Sequence, residues 1–350
     1  MQQRPLGRTD LRVSRICLGT MTFGEQNTEG DAHEQLDRAV ERGVNFLDAA
    51  ELYPIPPKAE TQGRTEAYIA SWLRARGNRD RMVIATKVVG RSTSTWFRAD
   101  GSEPRLDRRN VVEAVEGSLK RLGIDCIDLY QIHWPDRPTA GFGSVPTRWK
   151  TPDPVLDEVA IEETADVFQD LVRDGKIRHA GLSNESAWGT MRWLTLADAG
   201  RAPRMASIQN AYNLLNRTFE TAQAEIAVRE GIGLLAYSPL AQGYLTGKYA
   251  GGARPAGSRK ALFDRLQRYE KPGTAEAVAA YVALAREFGL APATFANAFV
   301  LAQDFVTASI IGATTMAQLD ECLAAEDVAW TAEMQDAVDG LHQRYGNPAP

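Results

Sequence analysis

Met82-Val83-Ile84-Ala85-Thr86-Lys87 is a short aliphatic run that ends in a cation, and Ile127-Asp128-Leu129-Tyr130-Gln131-Ile132-His133 is a second that ends in an imidazole. Between them, residues 109–122 carry Val111, Val115, Leu119 and Leu122 at helical spacing, so the whole stretch reads strand, helix, strand. Strands joined through a helix run parallel, because the crossover returns the chain to the same end of the sheet. Working outward, aliphatic or β-branched runs recur at 15–18, 44–48, 177–183, 207–209, 233–238 and 308–312, with further amphipathic segments at 31–42 and 275–288. Eight strand–helix alternations suit a closed (β/α)8 TIM barrel. An open doubly wound sheet uses the same unit and periodicity does not separate the two, so it is the strand count that favours closure.

A length of 350 residues falls within the range of one barrel with loop insertions, roughly 200 to more than 400, so one domain is expected over 1–350. The turn signal Gly7-Arg8-Thr9-Asp10 places a short hairpin at about 4–13, and residues 331–345 read as an extra C-terminal helix. A 44% hydrophobic, 24% charged composition is that of an ordinary globular chain. Net charge of −5 with dispersed Lys and Arg argues against nucleic acid as a partner. The polar first residues and the lack of an apolar run of about 20 residues lead to the expectation of a cytoplasmic protein without membrane contact. Cys17, Cys126 and Cys322 are far apart and odd in number, which fits reduced packing residues and not a disulfide framework. The histidines His33, His133, His179 and His342 form no HxxxH or HExxH pair, so no metal is expected. Gly231-Ile232-Gly233-Leu234-Leu235-Ala236 leads into a strand instead of a helix, and Gly243-Tyr244-Leu245-Thr246-Gly247-Lys248-Tyr249 lacks P-loop spacing; both nucleotide motifs are set aside.

In a barrel, the segments after each strand emerge on the C-terminal face, where the long stretches 88–105, 134–154 and 239–273 would gather. Asp48, Lys87 and His133 stand at strand ends there, with Tyr53 in the turn after Asp48. Each alone is more often a cap, a solvated cation or a packing residue. Together they form a proton-transfer device. A phenol with an ordinary pKa of about 10 is a poor acid at neutral pH unless a cation favours the phenolate, and Lys87 would supply that cation. Asp48 would hold Lys87 charged, and His133 would bond the oxygen on which charge develops.

These residues resemble the Asp, Tyr, Lys, His tetrad of the aldo-keto reductases, through Asp48-Ala49-Ala50-Glu51-Leu52-Tyr53, Thr86-Lys87 and Gln131-Ile132-His133. Leu18-Gly19-Thr20-Met21-Thr22-Phe23-Gly24-Glu25-Gln26, Tyr53-Pro54-Ile55-Pro56-Pro57, Glu60-Thr61-Gln62-Gly63 and Ile208-Gln209-Asn210 resemble the Tas-type, potassium channel β-subunit-like subgroup. The resemblance covers nearly the whole chain. It implies an NADP-dependent oxidoreductase that reduces an aldehyde or ketone to an alcohol, with hydride from NADPH and a proton from Tyr53. It implies a nicotinamide amide held by Ser183, Asn184 and Gln209, with Gly19, Thr20, Met21 and Asp48 beside it and Tyr237 stacked on the ring. It places the pyrophosphate against Ser238, Pro239, Leu240, Gln242, Gly243 and Leu245, the phosphates near Lys248 and Arg259, and the adenosine end at Gly312, Thr314, Gln318 and Glu321. Cys322 stands where relatives commonly carry Asn, and a thiol lacks the paired bonds an amide offers adenine. Met21, Tyr53, His133 and Trp134, with Phe142 and Trp149, would wall the pocket for a small carbonyl substrate. The alternative role is an NADPH-binding regulatory or interaction protein with slow catalysis, since potassium channel β-subunits share the resemblance.

Overall fold

In the computed structural model, residues 1–139, 151–153 and 155–349 are described; Phe142, Trp149 and Pro154 lie outside them. Ten strands are described: β1 Gln3–Pro5, β2 Arg12–Ser14, β3 Ile16–Gly19, β4 Phe46–Asp48, β5 Val83–Val88, β6 Ile127–Ile132, β7 Ile177–Ser183, β8 Met205–Ala211, β9 Gly233–Tyr237 and β10 Val306–Ile311. The last eight close into a parallel barrel, β3 to β9 in chain order with β10 sealing the gap between β9 and β3. The count that favoured closure over an open sheet is thus met strand for strand.

β1 and β2 pair antiparallel as a hairpin outside the barrel sheet. Its apolar residues Leu6, Leu11 and Val13 pack with Cys17, Phe46, Val83, Ala85, Leu129, Ala206, Leu235 and Ala308, so the hairpin plugs the N-terminal end of the barrel interior. Gly7 makes the close approach possible: its φ is +60°, and a Cβ there would lie 2.3 Å from Ala206 O. With that end filled, the barrel opens only at its C-terminal mouth.

The surrounding helices begin where the sequence supplies caps. Thr28 accepts the Asp31 N–H while the Asp31 side chain accepts the Thr28 N–H, which starts helix Glu29–Glu41 two residues before the amphipathic pattern does. Asp107 caps Arg108–Leu122 by accepting the Asn110 N–H with its side chain. Two strands also shift their ends for a physical reason. The run 207–209 is part of a longer strand, because β8 pairs with β7 from Met205 and with β9 as far as Ala211. Ser238 leaves β9 because its φ of +55° turns the chain out of the ladder.

Candidate active site

β4 ends on Asp48 and β5 carries Lys87 one residue before its end, so parallel pairing brings the two inward side chains together at the mouth. Lys87 is fully buried and its Nζ donates to Asp48 Oδ2 at 2.6 Å and to Ala49 O at 2.8 Å. Nζ lies 5.0 Å from the centroid of the Tyr53 ring. The His133 ring, just past β6, meets that of Tyr53 edge-on with centroids 5.8 Å apart. All four residues of the expected constellation therefore converge.

Asp48 is held on its other side by two amides, from β6 and β8, that no local sequence pattern pairs with it. Gln209 Nε2 donates to Oδ1 at 2.8 Å and Gln131 Nε2 at 3.2 Å, and Gln209 also donates to Gln131 Oε1 at 3.1 Å. Gln131 lies on β6 two residues before His133, and that spacing is the available signal, since alternate residues of an extended chain share a face. Thr20 Oγ1 donates to Asp48 O at 2.8 Å, and Gly19 pairs with Asp48 across β3 and β4.

The electrostatics differ from the expectation for Tyr53. Burial is the largest influence and pushes its pKa up; Lys87 opposes it, Asp48 adds to the rise, and the net direction is upward. Lys87 itself is opposed by burial, but Asp48 and Tyr53 hold its pKa above the ordinary value. Burial, with Lys87 second, drives the His133 pKa well down, so the imidazole is neutral and offers a single N–H. The site thus holds a protonated phenol, a fixed ammonium and a neutral donor around one space. That set can give a proton to an oxygen that becomes basic and stabilise the phenolate left behind.

Trp134 stands over His133, ring centroids 4.8 Å apart, and its Nε1 donates to Arg91 O at 2.9 Å. Met21 O accepts the Ile55 N–H at 2.9 Å, and its Sδ lies 3.8 Å from Arg259 Nη2.

Ser183, Asn184, Gln209 and Tyr237 form one connected polar network beside Asp48. Ser183 Oγ donates to Gln209 O at 2.9 Å, Asn184 Nδ2 donates to His133 O at 2.9 Å, and Tyr237 OH donates to Asn184 Oδ1 at 2.7 Å. Arg268 also bonds Tyr237, a contribution from a distant loop that no local motif announces. Beyond Tyr237 the chain coils back on itself: Ser238, Ala241, Gln242 and Gly243 all have positive φ. Pro239 is buried, Leu240 packs against the core and Leu245 lies within it, so Leu245 can meet a ligand through its backbone alone. At Gly243 a Cβ would lie 2.9 Å from Lys248 Cε, so the absent side chain leaves room for the lysine.

Lys248 and Arg259 make no ion pair among the described residues. Burial lowers both pKa values, and Arg265 and Arg268 lower that of Arg259 further. Two half-buried cations that make no direct ion pair among the described residues, next to a coiled loop in which Gln242 Oε1 is buried and unbonded, fit a ligand that carries phosphates. At the far end, Thr315 caps helix Met316–Leu323, and Gln318 Oε1 accepts from Thr314 N and Oγ1, both at 3.0 Å. Gly312 is exposed just before this turn, and Glu321 O accepts from Thr294 Oγ1 at 2.8 Å. Cys322 is buried near Lys248 and Asn297, and burial pushes its thiol up to about 12. Among the described residues no His, Cys, Asp and Glu cluster could hold a metal.

The family model of the Aldo/keto reductase family matches residues 15–343. Protein tas of Escherichia coli is 48% identical over the full length of both chains. The uncharacterized oxidoreductase YrpG of Bacillus subtilis is 33% identical over 100% of this chain and 98% of its own. A probable voltage-gated potassium channel subunit beta from rice is 32% identical over 98% and 97%. With a closed eight-stranded barrel and Asp48, Tyr53, Lys87 and His133 meeting at its mouth, the chain belongs to the aldo/keto reductase family.

Proposed function

We propose that this oxidoreductase uses NADPH to reduce an aldehyde or ketone to an alcohol, with Tyr53 as proton donor. The observation that carries the reading is the buried Lys87–Asp48 pair, 2.6 Å apart and set beneath the Tyr53 ring. NADPH, when bound, supplies the hydride. Lys248 and Arg259 take its phosphates, residues 238–243 wrap its pyrophosphate, and Ser183, Asn184 and Gln209 orient the carboxamide. The neutral His133 bonds the carbonyl oxygen, and Tyr53 gives that oxygen its proton as negative charge builds there. Lys87 holds the resulting phenolate, and Asp48, fixed by Gln131 and Gln209, keeps Lys87 in place. Met21 and Trp134 wall the space for the rest of the substrate.

The rice relative's name favours a second reading, an NADPH-binding regulatory protein in which turnover is slow. No helix among the described residues is long and apolar enough to cross a membrane, and we place the enzyme in the cytoplasm. The test is titration with NADPH and NADH, then oxidation at the nicotinamide band with a panel of aldehydes, for the parent and Tyr53→Phe. Aldehyde-dependent oxidation that collapses in Tyr53→Phe with NADPH binding retained is the expected result. Tight binding without turnover would favour the regulatory reading, and equal turnover in the two proteins would remove Tyr53 from the mechanism.

A further inference from the structure

Glu51 sits between the two groups that proton transfer must keep in register. Its backbone N–H donates to Lys87 O at 3.2 Å, and Tyr53 follows it by two residues. Its side chain is 2% exposed; Oε1 accepts the Val89 N–H at 2.6 Å, and Val89 follows Lys87 by two residues. One residue therefore clips the chain at Lys87 to the chain at Tyr53 through both backbone and side chain. Glu51 O accepts Gln62 Nε2 at 2.8 Å, and the next residue, Gly63, donates its N–H to Tyr53 O at 3.0 Å, which closes the far side of the Tyr53 turn.

Arg98 completes the clip from the loop after β5. It is 3% exposed, and its two terminal nitrogens donate to Glu51, Nη1 to Oε2 at 3.1 Å and Nη2 to Oε1 at 3.2 Å. Its Nε donates to Asn110 Oδ1 at 2.8 Å and Nη1 also to Phe97 O at 3.0 Å, so the guanidinium is anchored on helix and loop alike. A buried pair of this kind adds little net stability, because desolvation offsets the attraction. A two-pronged guanidinium–carboxylate contact does fix geometry.

We propose that Glu51 and Arg98 are positioning residues that hold the Tyr53 turn at its working distance from Lys87, an inference that rests on Tyr53 being the proton donor. The charge on Glu51 is then required only because Arg98 faces it. The other groups around Glu51 are Arg121, which is committed to Glu66 through Nε at 2.6 Å, and the buried Tyr130 beside both carboxylates. With Arg98 removed, Arg121, already committed to Glu66, is the cation left near Glu51 among the described residues. Burial already pushes the Glu51 carboxyl up against the opposing pull of Arg98, so removing Arg98 moves it further up and favours the protonated form. The neutral form keeps the turn packed at low pH, and the bare carboxylate displaces it at high pH.

The test compares the parent, Arg98→Met, Arg98→Lys, the double variant Glu51→Gln, Arg98→Met, and Tyr53→Phe as the floor. Each is assayed for NADPH oxidation with 4-nitrobenzaldehyde from about pH 6 to about pH 9, a span that brackets the range reported for buried Glu. In Arg98→Met, kcat should fall at least about tenfold as pH rises, with KM values changed little, because the loss lies in proton transfer and not in binding. The parent and the double variant should show flat profiles. Arg98→Lys keeps the charge but loses the fork, and should give a flat profile with kcat lowered several-fold. A flat profile in Arg98→Met, the same fall in the double variant, or parental kcat in Arg98→Lys would each overturn the proposal. If Arg98→Met does not fold, the Lys and double variants still decide it. A parent that turns over no faster than Tyr53→Phe would instead refute the proton-donor reading itself, and one that binds NADPH without turnover would favour the regulatory reading.

Discussion

Lys87→Met tests whether the pair at the bottom of the site is a charge pair or merely a packed contact. The substitution keeps an unbranched stem and removes the ammonium that Asp48 Oδ2 accepts from at 2.6 Å and Ala49 O at 2.8 Å. Breaking a buried pair by deleting one partner costs about 3–5 kcal/mol. Asp48 Oδ1 retains Gln209 and Gln131 at 2.8 and 3.2 Å, which places the carboxylate share of the cost near the low end, about 3 kcal/mol. The lost donor to Ala49 O adds about 1 kcal/mol, for a total of about 4. Adding Asp48→Asn removes the unbalanced charge while an amide still fills the space, so the double variant should regain about 2–3 kcal/mol over the single. Urea unfolding followed by tryptophan fluorescence measures all three differences. Turnover, in contrast, should stay at the Tyr53→Phe floor in both variants, because neither has a cation to hold the phenolate. A single variant within about 1 kcal/mol of the parent, or a double variant no more stable than the single, would refute the charge-pair account.

Tyr53→Phe should lower kcat by about 10²–10⁴-fold while the NADPH dissociation constant, followed by fluorescence, stays close to parental. Arg259→Ala should weaken NADPH binding at least about tenfold, the loss of one charge-assisted phosphate contact, in a direct titration. Gly90→Ala would put a Cβ 2.3 Å from Trp134 O and 2.6 Å from Cδ1, so the indole must move off His133. That should raise KM for bulky aldehydes at an overpacking cost of about 1–3 kcal/mol, and unchanged kinetics would mean Trp134 is no pocket wall. His133 has a folded pKa well below its unfolded value. It is neutral in both states above the unfolded pKa; below about pH 6.5 only the unfolded chain takes the proton, so stability falls with pH by up to about 1.4 kcal/mol per unit. His133→Asn should lose that part of the slope in unfolding at two pH values.

The barrel was legible because each strand is a short buried run and parallel pairing rewards such runs on both faces. The tetrad was legible because Asp48, Lys87 and His133 occupy strand ends, positions that topology alone brings together. What stayed hidden came through side chains that cross between distant segments. Gln131 and Gln209 reach Asp48 over 83 and 161 residues of sequence separation, and no local pattern carries such a distance. Arg98 reads as one more charge in a loop until the fold buries it against Glu51.

At Tyr53, burial changes the electrostatics that the sequence suggests. Read from sequence, Lys87 makes Tyr53 a stronger acid by lowering its pKa. In the folded site burial outweighs that effect, and the phenol holds its proton more firmly than a free tyrosine. This does not weaken the proton-donor reading, since a general acid must be protonated when the reaction begins, and a raised pKa ensures that throughout the neutral range. On the proposed mechanism, Lys87 would act instead on the phenolate, which would exist only as the proton departs, with the ammonium 5.0 Å from the Tyr53 ring centroid and held by Asp48 at 2.6 Å. An interaction that strengthens as charge develops lowers the barrier, whereas one made equally in the resting state would not. The rate of reduction should accordingly be flat from about pH 6 to about pH 9 and decline only above the ordinary tyrosine pKa of about 10. A decline centred near pH 7 would mean that the proton comes from another group.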